Sequence, residues 1–504
     1  MALGVKSLGE LGLRAQGGRE AQITGLSVDS RLTKQGHLFA ALPGSHVHGA
    51  EFITYALRMK AAAILTDREG AQIAAQELAA HQDVALIIAE DPRQTLAYAA
   101  ALFFGAQPVH MVAVTGTNGK TSVASFTRQI WQLMGLEAAN LGTTGVEGAF
   151  TAPSSHTTPE PITLHRLLAD MATAGITHAA MEASSHGLAQ RRLDGVRLAA
   201  AAFTNFTQDH LDYHATFAEY FDAKAGLFSR VLGEDGVAVI NLDDPKGAQL
   251  SEIAATRGHK LIGVGTSEAC DLQILGQRFD ATGQDLRFAW KGVPKLVRLS
   301  LIGGFQASNI MVACGLCIGA GAAPEDVFAT LPHLVTVRGR MQLAATRANG
   351  AAVFVDYAHT PDAVETALKA LRPHVMGRLV VVMGAGGDRD TSKRPLMGRA
   401  AADFADQVFV TDDNPRTEDP AAIRAMVMEG ALEAGGIGAR GVSVIEVGDR
   451  AEAILRGVDA LTAGDALLIA GKGHESGQII GTDVYPFDDV EQASVAVAAL
   501  DGRI

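Results

Sequence analysis

Apolar residues along the chain fall in short blocks separated by Gly, Pro and polar turns. Up to about residue 90, the blocks ITGLSVDS, GHLFAAL, AAAILT and VALIIAE have strand length, with turn-rich pieces such as LPGSHVHG between them. At Asp91-Pro92 a helical pattern opens, RQTLAYAAALFFG, and it stops at Gly105 and Pro108. From about 91 to 336 the blocks VHMVAVT, ITHAAMEA, LAAAAFTNF and GVAVINLDD read as buried strands alternating with helices. From about 337 to the end the alternation resumes with AAVFVDYA, RLVVVMGA, QVFVTDD, GVSVIEV and DALLIAG. Between them lie the Ala-rich helical segments TPDAVETALKALRP, RPLMGRAAADFA and DPAAIRAMVMEGAL. Strand–helix alternation predicts parallel sheets covered by helices. The expected organisation is α/β in three domains, 1–90, 91–336 and 337–504, the last a doubly wound, Rossmann-like unit.

Length supports this division: 504 residues at about 150 per domain is roughly three domains. Forty-two Lys and Arg against 55 Asp and Glu leave a net charge of −13, which argues against an electrostatic nucleic-acid binder. Hydrophobic residues at 48% and charged residues at 19% are a globular balance. No apolar run approaches the roughly 20 residues of a membrane helix. The start, MALGVKSLGELGLRAQ, lacks a basic-then-apolar signal layout, and three cysteines exclude a disulfide framework. A cytoplasmic setting is expected. Cys314 and Cys317 form a C-x-x-C within NIMVACGLCIGAG, where small residues packing a helix explain it better than redox or metal chemistry.

The strongest local signal is VHMVAVTGTNGKTSVASFTRQIWQLMG. A strand runs into Gly116-Thr117-Asn118-Gly119-Lys120-Thr121-Ser122 and then into a helix. Glycines let backbone N–H groups turn toward phosphate oxygens, and the helix N-terminus adds partial positive charge. Lys120 is placed for the β- and γ-phosphates and the Thr121 hydroxyl for Mg2+. The strict G-x-x-x-x-G-K-[ST] pattern needs Gly at 114, where this chain has Val114. The central domain is therefore expected to be P-loop ATPase-like, although the loop alone does not say what the nucleotide is for.

Further motifs follow in order: HTTPEPITLHRLL, AMEASSHGLAQRRL, TNFTQDHLDYH, YFDAKAGLF, GRMQ, DYAHTPD, GAGGDRDTSKRPLMG, DDNPRTEDP and GKGHE. With TGTNGKTS, this ordered set resembles the muramyl peptide (Mur) ligases, in particular those that add 2,6-diaminopimelate. The likeness spans almost the whole chain and is weakest in the first 90 residues. It implies an ATP-dependent amide ligase acting on UDP-MurNAc-L-Ala-D-Glu in peptidoglycan precursor synthesis. The D-Glu side-chain carboxyl takes the γ-phosphate, and an amine of meso-diaminopimelate attacks the acyl phosphate. It also implies a UDP-sugar-binding first domain, an ATP-binding second and an amino-acid-binding third. Small molecules are then the only partners, with no nucleic acid and no membrane insertion, and the chain is expected to act as a monomer whose last domain closes on substrates.

The resemblance carries roles onto individual residues. Glu182 and His210 match positions that hold Mg2+ with Thr121; alone, His210 in DHLDYH would read as an ordinary structural histidine. Lys224 matches a lysine carbamylated by CO2, a catalytic and metal-holding position beside Lys120 and His210. Formation needs a neutral amine, which burial favours; without the resemblance Lys224 reads as a lysine on a solvated helix face. Asn309, Arg340, Asp356 and His359 match positions near the nucleotide, while Gln306 stands where the family often has Asn. His156, Thr157, Thr158, Ser184, Gln190 and Arg192 match the muramyl-dipeptide surface. Val28, Ser30, Ser45, His46 and Val47 match the uridine-diphosphate end, and His48 replaces a common Asp.

Asp413-Asn414-Pro415-Arg416 is the discriminating segment. Arg in its last place accompanies diaminopimelate users, whose second carboxylate a guanidinium can clamp. Taken alone, Arg416 is a surface residue capping a turn before Pro420. Arg389 matches a further carboxylate contact, and Gly471 and Glu475 the grip on the distal ammonium. The alternatives are a lysine-adding or folylpolyglutamate-synthase-like ligase, a nucleotide-regulated binding protein, and a dinucleotide oxidoreductase. DNPR, the set Glu182, His210 and Lys224, and the absence of G-x-G-x-x-G in GAGGDRD speak against them in turn.

Overall fold

The computed structural model describes residues 4–44, 47–154, 156–207, 213–437 and 441–503. Three α/β units follow one another. The first holds a parallel sheet in the order Gly25–Ser27, His37–Ala40, Ala63–Thr66, Ala85–Ile88. Successive residues of a strand point to opposite faces, so each strand feeds two cores. Leu38, Ala40 and Leu65 enter one, while Phe39 and Ile64 enter the other.

Helix Pro92–Phe104 starts where its chemistry dictates: Asp91 accepts from Gln94 N at 3.0 Å, Pro92 takes the first turn, and Gly105 at φ 74° ends it. Its residues Leu96, Ala99, Ala100 and Phe103 pack into the first core, while it also lies against helix Pro161–Thr173. The helix thus ties the first unit to the second. A division at residue 90 separates it from a core it helps to build.

The central sheet has ten strands, ordered Val293–Leu299, Gly283–Trp290, Leu272–Asp280, Lys260–Gly265, Val237–Asn241, Leu198–Phe203, His110–Thr115, His178–Glu182, Ala138–Gly142, Gly145–Gly148. The middle is parallel, as the apolar blocks predict. Two antiparallel flanks escaped the sequence reading. Strands 272–299 carry Arg278, Asp285, Arg287, Lys295 and Arg298 among their apolar positions, so no continuous apolar block marks them.

Helix Phe305–Gly319 is buried against this sheet, with Cys314 and Cys317 fully enclosed as free thiols. A Cβ on Gly315 would meet Val239 at 2.6 Å, so small residues set the close helix–sheet approach. The packing reading of C-x-x-C holds.

The third unit orders its strands Gln342–Thr346, Ala352–Asp356, Ala466–Ala470, Leu379–Met383, Gln407–Val410, Ser443–Glu446. All neighbours are parallel except the first pair. The loops DYAHT, GAGGDRD, TDDNPR and GKGHE all leave carboxyl ends of these strands, the side of an open α/β sheet where ligands bind. Arg450 and Asp489, both fully buried, pair at 2.7 Å, and Arg450 also donates to Ala470 O at 3.0 Å. The pair anchors the start of the GKGHE loop. Among the described residues no helix is long and apolar enough to cross a membrane.

His165 is 2% exposed and lies 3.0 Å from Asp194 O through Nε2. Burial lowers its pKa from 6.5 to about 4. Between those values the unfolded chain binds more protons than the folded one, so this contribution is complete above pH 6.5 and shrinks as pH falls toward 4. Thermal unfolding followed over that range should show a falling Tm, with a shallower fall in His165→Gln; equal slopes would refute the assignment.

Candidate active site

The loop after His110–Thr115 is shaped by two left-handed glycines, Gly116 at φ 146° and Gly119 at φ 87°. A Cβ on Gly116 would collide with Thr204, and one on Gly119 would lie 2.5 Å from Asn309 Oδ1. Both positions therefore require glycine on conformation and on space. The segment 204–207 laces the loop in place. Thr117 N donates to Asn205 O at 2.9 Å, Asn118 N to Asn205 Oδ1 at 2.8 Å, and Thr204 Oγ1 to Asn118 O at 2.6 Å. Helix Lys120–Leu133 begins directly after Gly119, so its first amides point out at the loop.

A cavity of about 410 Å³ opens over this loop. Thr117 through Ser122, Thr143, Thr157, Glu182, Ser184, Lys224, Asn309, Arg340 and Asp356 all reach its wall. The nucleotide set of the sequence analysis thus converges, with one correction. Gly116 stands behind the wall, and its carbonyl accepts from Lys120 Nζ at 2.9 Å and Lys224 Nζ at 2.6 Å. Lys224 is 1% exposed and sits 4.6 Å above the Tyr220 ring, so it is not on a solvated helix face. Arg340 donates to Thr121 Oγ1 at 3.1 Å and stacks over Tyr357. Burial pushes the Asp356 carboxyl above its ordinary range, against the pull of Arg340 and a 2.6 Å hydrogen bond from Met341 N.

Glu182 ends strand His178–Glu182, 1% exposed, and accepts from Thr143 N at 2.9 Å and Thr143 Oγ1 at 3.2 Å. A fixed carboxylate lining the same cavity as the Thr121 hydroxyl gives the hard-oxygen donors Mg2+ takes when phosphates supply the rest. The residues present fit that ion. Among the described residues no cluster of three His, Cys, Asp or Glu side chains forms a metal site of its own. His210, Ser45 and His46 lie outside the described residues.

A second cavity, about 610 Å³, adjoins the first. Arg389, Asp413, Asn414, Arg416, Gly471 and Glu475 line it, as the diaminopimelate set requires. Pro415 does not: it is buried, and its carbonyl accepts from Glu418 N at 3.1 Å. Arg416 adopts φ 52° and donates from its guanidinium to Gly387 O at 2.7 Å, while its backbone pairs with Ile479 and Gly481. Hairpin Gly477–Ile480/Asp483–Pro486 thus holds Arg416 in an unusual backbone state, and a turn-capping role does not describe it.

The two cavities share Tyr357, His359, Thr360 and Asp362. Asp362 accepts from Asn118 Nδ2 and from Thr207 Oγ1, each at 3.1 Å, and so joins the third unit to the phosphate loop. Sequence reasoning missed Asp362, which looks like an ordinary acidic residue in a helix's first turn. It also missed Tyr357, His186 and Thr143.

The muramyl-dipeptide set divides. Thr157 and Ser184 face the first cavity. Thr158 is buried behind it, its hydroxyl donating to Glu182 O at 2.9 Å. Arg192 donates to Thr158 O at 2.6 Å and pairs with Gln190, which reaches Tyr213 at 2.9 Å. His156 is exposed and outside both cavities. Val28 and Val47 are exposed, Ser30 is buried at the start of a short turn, and none of them lines either cavity. His48 does what an Asp would do there: its Nδ1 accepts from Ala50 N at 3.0 Å and caps a turn.

The structure is therefore an α/β protein with a phosphate-loop cavity set against a second, charge-lined cavity. Sequence models of three Mur ligase regions match the chain: the Mur ligase family catalytic domain over 22–104, the middle domain over 114–317 and the glutamate ligase domain over 339–473. The UDP-N-acetylmuramoyl-L-alanyl-D-glutamate–2,6-diaminopimelate ligase of Bradyrhizobium diazoefficiens is 48% identical over 486 residues, 95% of each chain. The enzyme of that name from Caulobacter vibrioides is 46% identical over 486 residues, 95% of this chain and 96% of its own. A solved structure of a ligase with that name superposes with TM-score 0.71 at 34% identity, covering 99% of both chains. A folylpolyglutamate synthase of Mycobacterium tuberculosis, solved with ADP, shares the fold at TM-score 0.62 and 20% identity, over 82% of this chain and 96% of its own. The chain belongs to the Mur ligase family.

Lys120→Met should lower kcat by about a hundredfold or more, the usual cost of removing a donor aimed at developing charge. Single-turnover phosphate release measures this, and an unchanged rate would contradict the placement of the loop.

Proposed function

We propose that the protein joins meso-2,6-diaminopimelate to the D-Glu of UDP-MurNAc-L-Ala-D-Glu, with ATP cleaved to ADP and phosphate, in peptidoglycan precursor synthesis. Relatives of that name matching nearly the whole chain support this. The observation that carries it is the contact between the two cavities through Tyr357, His359, Thr360 and Asp362. A phosphorylated carboxyl formed in one is then within reach of an amine held in the other.

A carboxylate is a poor electrophile. Its oxygen attacks the γ-phosphorus of ATP, ADP leaves, and the acyl phosphate carries a good leaving group. The amine attacks the carbonyl carbon, loses a proton, and phosphate departs with the C–O bond. Lys120 and Arg340 face the accumulating negative charge, and the loop amides hold the phosphates in line. Mg2+, held by Thr121, Glu182 and His210, would neutralise phosphate charge. Lys224, carbamylated by CO2, would add a carboxylate for a second ion; its burial, which favours the neutral amine that reacts with CO2, supports that assignment. In the neighbouring cavity Arg389 and Arg416 suit the substrate carboxylate, and Asp413 and Glu475 its ammonium. The first unit, with Val28, Ser30 and the loop 45–47, would grip the UDP end, and binding energy gained there positions the D-Glu carboxyl. We infer a monomer working in the cytoplasm, closing its third unit on substrates.

The test is ATP-dependent phosphate release with UDP-MurNAc-L-Ala-D-Glu and either meso-diaminopimelate, L-lysine or no amino acid. Turnover with diaminopimelate alone is expected. Turnover with lysine instead would keep the ligase and discard the specificity, and none with any would favour a nucleotide-regulated binding protein.

Arg416→Ala should lower kcat/KM for diaminopimelate at least about thirtyfold, the scale for losing a desolvated charge contact, while ATP binding persists. Unchanged kinetics would refute its role. Protein equilibrated with 13C-labelled CO2 should show a carbamate carbon resonance that Lys224→Ala lacks.

A further inference from the structure

Beneath the second cavity lies an ammonium that the mechanism above does not use. Lys472 sits between Gly471 and Gly473, both left-handed at φ 118° and 56°, directly after strand Ala466–Ala470. Its side chain is 0% exposed. Nζ donates to Asn414 Oδ1 at 3.0 Å and to Glu475 Oε2 at 3.3 Å, and lies 3.8 Å from Asp413 Oδ1.

Asn414 closes the figure. Its Nδ2 donates to the same Glu475 Oε2 at 2.9 Å, and its Oδ1 also accepts from Ile479 N at 2.9 Å. Both ends of the Asn414 amide are thus occupied by the protein itself. Glu475 Oε2 is held by two donors, while Oε1 has no hydrogen-bond partner among the described residues and Glu475 lines the cavity. Gln478 Nε2 donates to Asp413 O at 2.7 Å, which fastens the same segment to the hairpin that carries the Arg416 pairing.

We propose that Lys472 is a positioning residue for amino-acid selection, an inference that rests on the diaminopimelate reading. It acts through Glu475 and Asn414 and does not touch substrate. Its charge lies between Asp413 and Glu475, two carboxylates lining one cavity, and offsets the repulsion between them. Its hydrogen bonds fix Glu475 in one orientation, presenting Oε1 to the cavity, and hold Asn414 as a spacer that sets the register of Arg416. The distance between ammonium acceptor and guanidinium, and with it the preference for a diamino diacid, then depends on a residue outside the substrate's reach.

Wild-type turnover with diaminopimelate is measured first, then KM for each substrate in Lys472→Met and Lys472→Gln. The expected result is a KM for diaminopimelate at least tenfold higher, with kcat lowered less than threefold and KM for ATP and for the UDP substrate within twofold. Lys472→Arg, which keeps a cationic donor at this place, should raise the diaminopimelate KM less than either and stands in if neither of the other lysine variants folds. An unchanged diaminopimelate KM, or a uniform loss across all three substrates, overturns the proposal. A wild type without diaminopimelate-dependent turnover overturns the reading of the reaction itself.

Discussion

Three hydrogen bonds join the phosphate-loop side of the central unit to the third unit: Asn118 and Thr207 to Asp362, and Arg340 to Thr121. The chemistry depends on this junction. An acyl phosphate is open to attack by water, so a closed wall around it and a short path to the amine both favour amide formation. With the units apart, each cavity would be half a site: one able to hold a nucleotide, the other a zwitterion. Joined, they share four wall residues.

Both halves of the junction come from one property of open parallel sheets. Ligand-facing loops leave the carboxyl ends of the strands, and helix N-termini point the same way. In the central sheet the loop after Thr115, Glu182 at the end of its strand, and Thr204–Asn205 after Phe203 gather at that edge. In the third sheet the loops after Asp356, Met383, Val410 and Ala470 do the same. Facing these edges toward each other puts Lys120 and Arg340 around the phosphate loop and Asp413 and Glu475 along the second cavity. Cations thus line the cavity over the phosphate loop, and carboxylates line the second cavity.

Much of this was legible along the chain. Parallel strands buried on both faces are short apolar blocks, so the positions of many of them along the chain, and several of the helices between them, could be read directly. The phosphate loop is a local motif because backbone conformation and Cβ-free space are needed at fixed positions. The antiparallel strands 272–299 were not legible, since charged residues interrupt their apolar positions. Asp362 and Lys472 were quoted within motifs and assigned no role, because an acid in a helix's first turn and a lysine between glycines have ordinary local explanations. Pro415 and Gly116 show the converse: each belongs to a functional motif, yet each shapes the wall from behind.

The sequence by itself determined the α/β class, the nucleotide loop, the family likeness and the residue types of both cavities, because periodicity, glycine placement and ordered motifs are local along the chain. Only the tertiary structure decided that the two cavities touch, that Lys224 is enclosed, that Arg416 is held by a hairpin some 60 residues away, and that Lys472 lies beneath the amino-acid floor. Those facts are contacts between residues far apart in the chain, fixed by which strand edges face each other, and no local pattern encodes that choice.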